Sequence, residues 1–252
     1  MKEFDAVKEK DKVVKFIRDY YEKYNLGGAV LGISGGKDSA VVAALMVEAL
    51  GKDNVVGLTL PCHSREEDSK LAKKLSDYYG FKLLNIDLTK VYDAFKDEIN
   101  KLGDFTSEEL KNSDINVKPR LRMLSCYYMA PLLSAITGKP YLVVGTSNKC
   151  ELFVGYFTKG GDSVHDIAPI ADFTVSEVIK IGEVLNVPRE LLYKTPDDGL
   201  AGMSDEEKLG VKYSEIADYI DNPDNVQEPS KTRISKLHDS SLHKFNTPTY
   251  RK

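Results

Sequence analysis

The sequence is poor in the residues that build metal and redox frameworks. Its three cysteines, Cys62, Cys126 and Cys150, are odd in number and far apart, with no C-x-x-C pair. That excludes a disulfide framework, and reduced, unligated thiols are expected. The four histidines, His63, His165, His238 and His243, show no zinc spacing. Long apolar runs are also missing. None approaches the roughly 20 residues needed to span a bilayer. The stretch MKEFDAVKEKDKVVKFIRDYY is charged throughout and has no signal-peptide apolar core. A cytosolic protein with no membrane partner is expected. Charge of one sign is scarce as well. A net charge of −4 over 252 residues gives no support for a nucleic-acid surface. No internal repeat or low-complexity segment is visible.

What is present is an alternation. Val13, Val14, Ile17, Tyr20, Tyr21 and Tyr24 recur at helical spacing, so residues 7–24 are expected to form a helix. Residues 29–33 read as a buried strand, 39–50 as a helix and 54–60 (NVVGLTL) as a second strand. A helix over 65–79, a strand over 82–86 (KLLNI) and a helix near 89–101 follow. Residues 119–137 read as a helix and 141–146 (YLVVGT) as a fourth strand. Short apolar strands alternating with helices predict an α/β fold, a doubly wound, mostly parallel sheet flanked by helices, in a single domain over 1–252. Ser64-x-x-Glu67, Thr106-x-x-Glu109, Thr174-x-x-Glu177 and Ser204-x-x-Glu207 carry the capping-box pattern that marks helix starts. The stretch NKCELFVGYFTKGGDSVHDIAPIADF is Gly-rich, aromatic and aperiodic. A loop that long in a compact domain is usually functional. The tail from about 225 is expected to be helical and polar.

The informative turn is LGISGGKDS, Leu31 to Ser39. A strand before it and a helix after it put it at the carboxyl edge of the sheet, where open α/β folds bind ligands. Gly35 and Gly36 allow the backbone to approach a ligand closely. The first N–H groups of the helix and its dipole favour an anion there. It is not a Walker loop, because that motif needs a hydroxyl after its lysine and Asp38 stands there instead. Gly32, Gly35 and Gly36 also miss the dinucleotide spacing. A carboxylate beside bare phosphate would repel it, so Asp38 implies magnesium between them. Ser34 and Ser39 can donate hydroxyls to phosphate oxygens.

SGGKDS resembles the signature of the ATP pyrophosphatases, which cleave ATP to AMP and pyrophosphate while adenylating a substrate. Within that superfamily, NVKPRLRM (116–123), VVGTSNKCE (143–151), GYFTKGGD (155–162), DIAPI (166–170), SDEEKLG (204–210) and HK (243–244) together resemble the NAD synthetases. The likeness runs in order over nearly the whole chain. It implies a Rossmann-like ATP pyrophosphatase fold and the ATP-dependent amidation of deamido-NAD. The nicotinate carboxylate attacks the α-phosphate, pyrophosphate leaves, and ammonia converts the acyl-adenylate to NAD and AMP. By motif position, the resemblance implies ATP contacts at Gly32, Ile33, Ser34, Gly35, Gly36, Lys37, Asp38, Ser39 and Thr146. It implies Mg2+ on Asp38 and Glu151. Deamido-NAD contacts would come from Arg120, Lys159, Asp166, His243 and Lys244, with Asp38 and Lys159 closest to the chemistry. Residue chemistry agrees for Arg120 and Lys159, which can neutralise a dinucleotide's phosphates. Asp166 can accept hydrogen bonds from a ribose or an amide. Leu58 to Pro61 is placed to line adenine. Each also has a plainer use: Arg120 and Arg122 suit a solvated helix face, Lys159 and Glu151 a solvated surface, and His243 a free tail. Cys150 lies in the motif but is not read as a nucleophile.

Two positions depart from the pattern. Val175 stands where a phosphate-contacting lysine is usual, and Asp197 where a small hydroxyl residue is usual. Both would weaken ATP binding unless Lys180, Lys194, Thr195 or Lys37 compensates. The motifs leave about 30 residues ahead of them, too few for a glutaminase domain, so free ammonia is the expected nitrogen donor. The resemblance implies a homodimer. The apolar stretch 119–136 suits either an interface or a buried helix. Segments 62–67 and 197–209 are candidate lids. The competing readings are another adenylating ATP pyrophosphatase, GMP-synthetase-like or tRNA-modifying, and a non-catalytic nucleotide-binding protein.

Overall fold

The computed structural model describes residues 4–194 and 204–250. The first half alternates strand and helix: α1 (Ala6–Lys23), β1 (Gly28–Gly32), α2 (Lys37–Leu50), β2 (Val55–Thr59), α3 (Glu66–Tyr79), β3 (Lys82–Asn85), α4 (Thr89–Asn100), α5 (Ser107–Thr137) and β4 (Tyr141–Val143). The second half is helical: α6 (Lys149–Val154), α7 (Val175–Val184), α8 (Arg189–Leu192), α9 (Asp205–Leu209), α10 (Tyr213–Asp221) and α11 (Ser230–Ser241).

The four strands form one parallel sheet in the order β3-β2-β1-β4. Val30 of β1 pairs with Val56 on one side and Val143 on the other. Strands buried on both faces read as continuous apolar runs, and GAVLG and VVGLT do so. Alternate residues of β1 serve opposite layers. Ala29 and Leu31 pack with α1, α2 and α7, whereas Val30 packs with Leu58, Tyr92, Cys126 and Leu133 beneath α4 and α5. Helices on both faces make the sheet doubly wound, as the alternation predicts. A third apolar cluster, built from Cys150, Val154, Leu209, Tyr213, Ile216 and Ile234, holds α6, α9, α10 and α11 together. The chain runs from β1 outward to β3 and then returns to place β4 on the other side of β1. That reversal opens a crevice at the carboxyl ends of β1 and β4, where open α/β sheets bind ligands.

Three local expectations change. The helix expected from 119 begins at Ser107 and runs for 31 residues with Pro119 and Pro131 inside it. Proline is most at home in a first turn, which misplaces the start at Pro119. The Thr106–Glu109 capping box fixes the actual start, with Glu109 N–H donating to Thr106 Oγ1 at 3.3 Å and Thr106 N–H to Glu109 Oε2 at 2.8 Å. Ser64 does not cap a helix: α3 follows Arg65, and Ser64 Oγ instead accepts from Cys62 N–H at 3.1 Å. The aperiodic stretch after β4 contains α6, capped by Asn148. The tail is helical over α11, as expected.

Candidate active site

The expected phosphate loop sits at the crevice. Gly35 has φ +77°, and a Cβ there would come 2.8 Å from the Asp68 carbonyl oxygen of α3, so the turn needs glycine on both counts. Gly36 precedes α2 and offers no side-chain cap. No side chain among the described residues caps α2 at Gly36, so its first N–H groups and the helix dipole behind them suit an anion. Two hydroxyls shape the mouth. Ser39 Oγ donates to Gly36 O at 3.1 Å and accepts from Ser34 N–H at 3.2 Å, and the two serine oxygens lie 3.1 Å apart. Ile33 is core, and its N–H donates to Leu58 O at 2.8 Å. Thr146 is half-buried just beyond β4, on the far side of the same crevice.

The two expected metal carboxylates, 113 positions apart in sequence, meet through one amide. Asn148 Nδ2 donates to Asp38 Oδ1 at 3.3 Å. Asn148 also exchanges capping bonds with Glu151: Glu151 N–H donates to Asn148 Oδ1 at 3.1 Å, and Asn148 N–H to Glu151 Oε2 at 3.0 Å. Burial, followed by the charge of Asp38, pushes the Glu151 carboxyl well above the usual carboxylate range. Lys37 does not offer its side chain to the loop. Its side chain is 6 % exposed, and its ammonium lies 3.1 Å from Asp38 Oδ2 and 5.7 Å over the Tyr213 ring. Burial works against that charge, but Asp38, Glu151 and Asp205 more than offset it, and the ammonium is held above its ordinary range. Asp205 accepts from Tyr156 OH at 2.9 Å.

Four of the five expected acceptor-site residues form one connected group. Arg120 of α5 donates Nε and Nη2 to Lys159 O at 3.3 and 3.2 Å. Lys159 Nζ donates to His243 O at 2.9 Å. Lys244 Nζ donates to Gly155 O and Phe157 O at 2.7 and 2.8 Å. So the GYFTK turn, α5 and the segment after α11 are laced together. Gly155 permits it: its φ is +68°, and a Cβ would lie 2.0 Å from Ser241 Cβ. Asp166 stands apart from this group. Its Oδ2 accepts from Val143 N–H at 2.8 Å and its Oδ1 from Tyr127 OH at 2.9 Å. Both oxygens keep a second lone pair for a ligand.

Other expectations resolve individually. Val175 packs against the third apolar cluster. Lys180 lies over the Phe4 ring at 5.9 Å. Lys194 is the cation beside the loop: its Nζ bonds Asp68 Oδ1 at 2.5 Å, and the Asp68 backbone covers Gly35. Leu58 is fully buried and cannot line adenine, which leaves Leu60 and Pro61 at the strand end. Thr195, Asp197 and the first part of the 197–209 lid candidate fall outside the described residues; 205–209 forms α9. Within the other lid candidate, 62–67, Ser64 Oγ accepts from Arg122 Nη2 at 3.5 Å and His63 Nε2 lies 2.7 Å from Asp93 Oδ1. All three thiols are buried and free of disulfides, and burial pushes those of Cys126 and Cys150 up to about 11. Sequence reasoning missed Asn148, Tyr127 and Tyr213. Asn148-x-x-Glu151 carries the same capping signature recognised elsewhere, so that one was findable.

Comparison with known proteins gives the chain a family. The family model described as NAD synthase matches residues 9–248. The NH(3)-dependent NAD(+) synthetase of Finegoldia magna is 38 % identical over 92 % of this chain and 90 % of its own. Among solved structures, the NMN synthetase of Francisella tularensis superposes with a TM-score of 0.86 at 33 % identity, over 99 % of both chains. The NH3-dependent NAD synthetase of Campylobacter jejuni does so with a TM-score of 0.77 at 27 % identity, over 99 % of this chain and 100 % of that one.

Proposed function

The chain belongs to the NAD synthase family, and on that premise we propose that it amidates deamido-NAD with ammonia at the expense of ATP, giving NAD, AMP and pyrophosphate. One observation carries the proposal. The uncapped start of α2 and the Asp38–Asn148–Glu151 bridge converge on the crevice between β1 and β4.

In this reading the phosphates of ATP rest on the α2 N–H groups and the Ser34 and Ser39 hydroxyls. Asp38 and Glu151 fit a hard divalent cation by donor chemistry, and a bound cation would offset the burial and the Asp38 charge that raise the Glu151 carboxyl. Magnesium commonly takes one or two carboxylates and completes its shell with phosphate oxygens and water. Consistent with that, no group of three or more His, Cys, Asp or Glu among the described residues is disposed to hold a metal unaided. When bound, magnesium supplies charge neutralisation to the departing pyrophosphate. Arg120 and Lys159 supply positive charge to the acceptor dinucleotide and offset its repulsion from ATP. His243 and Lys244 close that subsite from the C-terminal side. Asp166, pinned by Val143 and Tyr127, orients the acceptor. Lys194 supplies the cation that Val175 does not, exchanging Asp68 for a phosphate oxygen.

The wider reading has three further parts. Free ammonia is the nitrogen donor of this single synthetase domain. The protein works in the cytoplasm without nucleic acid. It is a homodimer joined through α5. Leu124, Tyr128, Leu132 and Ile136 recur every fourth residue on that helix and are 59, 71, 44 and 70 % exposed, which supports a partner there.

A second acceptor is favoured by the name of the Francisella tularensis protein, an NMN synthetase at a TM-score of 0.86. The analogous substrate is nicotinate mononucleotide, which carries the same carboxylate without the adenylate half. The test is incubation with ATP, magnesium and ammonium plus either acceptor, with a glutamine-for-ammonium control. Equal NAD and AMP that require deamido-NAD and ammonium support the proposal. A higher kcat/KM with nicotinate mononucleotide selects the second acceptor. ATP binding without AMP release selects a non-catalytic nucleotide-binding protein.

A further inference from the structure

The buried ammonium of Lys37 has no role in the scheme above. It occupies the first position of α2, where its backbone belongs to the phosphate loop, yet its side chain turns inward beneath the loop. There it meets Asp38 at 3.1 Å and the face of Tyr213 at 5.7 Å. The charges of Glu151 on α6 and Asp205 on α9 also act on it. The Tyr213 hydroxyl is buried with no hydrogen-bond partner among the described residues, and the ammonium rests against the Asp38 carboxylate and the Tyr213 ring face. A cation this enclosed cannot swing out to meet a ligand without opening the third apolar cluster.

We propose that Lys37 is a resident counter-ion that keeps the Asp38–Glu151 pair from binding a divalent cation on its own, so that the metal enters only with the nucleotide. This rests on the reading that Asp38 and Glu151 hold the metal. The physical case is Coulombic. A divalent ion on Asp38 would sit within a few ångströms of a fixed ammonium, in a partly buried site where like charges repel far more strongly than in water. The same ammonium already satisfies part of the carboxylates' charge. Both effects weaken the bare metal site. The triphosphate adds several negative charges and oxygen ligands at the mouth, and the balance then favours the metal. The arrangement prevents the free enzyme from sequestering divalent ions and couples their arrival to ATP.

The experiment measures Mn2+ binding by the intact protein, using the electron paramagnetic resonance of free Mn2+, for wild type, Lys37→Met, Lys37→Arg and Asp38→Asn. Each is titrated alone and with a non-hydrolysable α,β-methylene analogue of ATP, after a melting curve confirms folding. Wild type is expected to bind Mn2+ weakly alone and at least ~10-fold more tightly with the nucleotide. Lys37→Met is expected to bind Mn2+ alone at least ~10-fold more tightly than wild type, a change of about 1.4 kcal/mol. Lys37→Arg, which keeps the charge, should behave as wild type. Equal or weaker Mn2+ affinity of Lys37→Met alone overturns the proposal while leaving the metal site intact, provided the nucleotide still recruits Mn2+ to wild type. If Asp38→Asn retains nucleotide-dependent Mn2+ binding, the metal assignment itself fails and the proposal falls with it.

Discussion

At the scale of single residues, Asn148 is the hinge of the account. It donates to Asp38 and trades capping bonds with Glu151, so in the proposed site it orients both metal carboxylates without being a ligand itself. Outer partners of this kind typically cost 10–100-fold in metal affinity when removed. Asn148→Ala should therefore weaken nucleotide-dependent Mn2+ binding by about that factor, with the fold retained by circular dichroism. Glu151 carries a pH prediction. Its folded carboxyl titrates well above the unfolded value, so the folded state binds the extra proton. Stability of the metal-free protein then falls as pH rises from the unfolded carboxylate range through the raised folded value. Glu151→Gln removes that penalty. In chelator at neutral pH the variant should be more stable than wild type, and no difference should remain below the unfolded carboxylate range. Urea denaturation at the two pH values measures this. Lys194→Ala, which removes the cation beside Gly35, should raise KM for ATP by about tenfold with kcat nearly kept, in line with the loss of a charged hydrogen bond. An unchanged KM would leave Val175 uncompensated.

At the scale of elements, the fold was legible wherever period and punctuation agreed. The strands at 28–32, 55–59, 82–85 and 141–143 were visible as short apolar runs, and three of the four recognised capping boxes mark real helix starts. Errors arose where a local signal met a tertiary competitor. Pro119 suggested a start, but the α5 helix runs through it because packing on β1 and β4 and the Thr106 cap outweigh one missing hydrogen bond. Ser64 carried the right pattern, but its hydroxyl accepts from Cys62 N–H. The motif residues were named by position, yet the strap that ties Lys159 to the segment after α11 was not foreseeable. Its bonds run between a side chain and a backbone carbonyl 84 positions away, and no local pattern encodes such a pairing. The phosphate turn carries its own prediction. Gly35→Ala must adopt φ +77° and crowd the Asp68 carbonyl at 2.8 Å. It should cost about 1–3 kcal/mol in unfolding free energy and impair ATP binding, as read by denaturant midpoint and nucleotide titration.

At the scale of the whole molecule, the strand order β3-β2-β1-β4 explains why residues from every third of the chain share one site. The reversal at β1 opens the crevice, α2 turns its uncapped start toward it, and α5 carries Arg120 along the opposite face of the sheet. Nothing in composition announced that geometry; it follows from parallel winding of the first half. The exposed stripe on α5 makes an assembly prediction. Tyr128→Lys combined with Ile136→Lys should convert the proposed dimer to a monomer in sedimentation analysis without lowering the melting cooperativity of the subunit. The central claim is that the acceptor's carboxylate is adenylated on this loop before ammonia arrives. Deamido-NAD labelled with oxygen-18 in its nicotinate carboxylate tests it directly, with mass spectrometry of the products. The account predicts one labelled oxygen transferred to AMP, because the bond broken by ammonia lies between the carbonyl carbon and the oxygen shared with the phosphate. Label in pyrophosphate, or AMP formed without label, would contradict it.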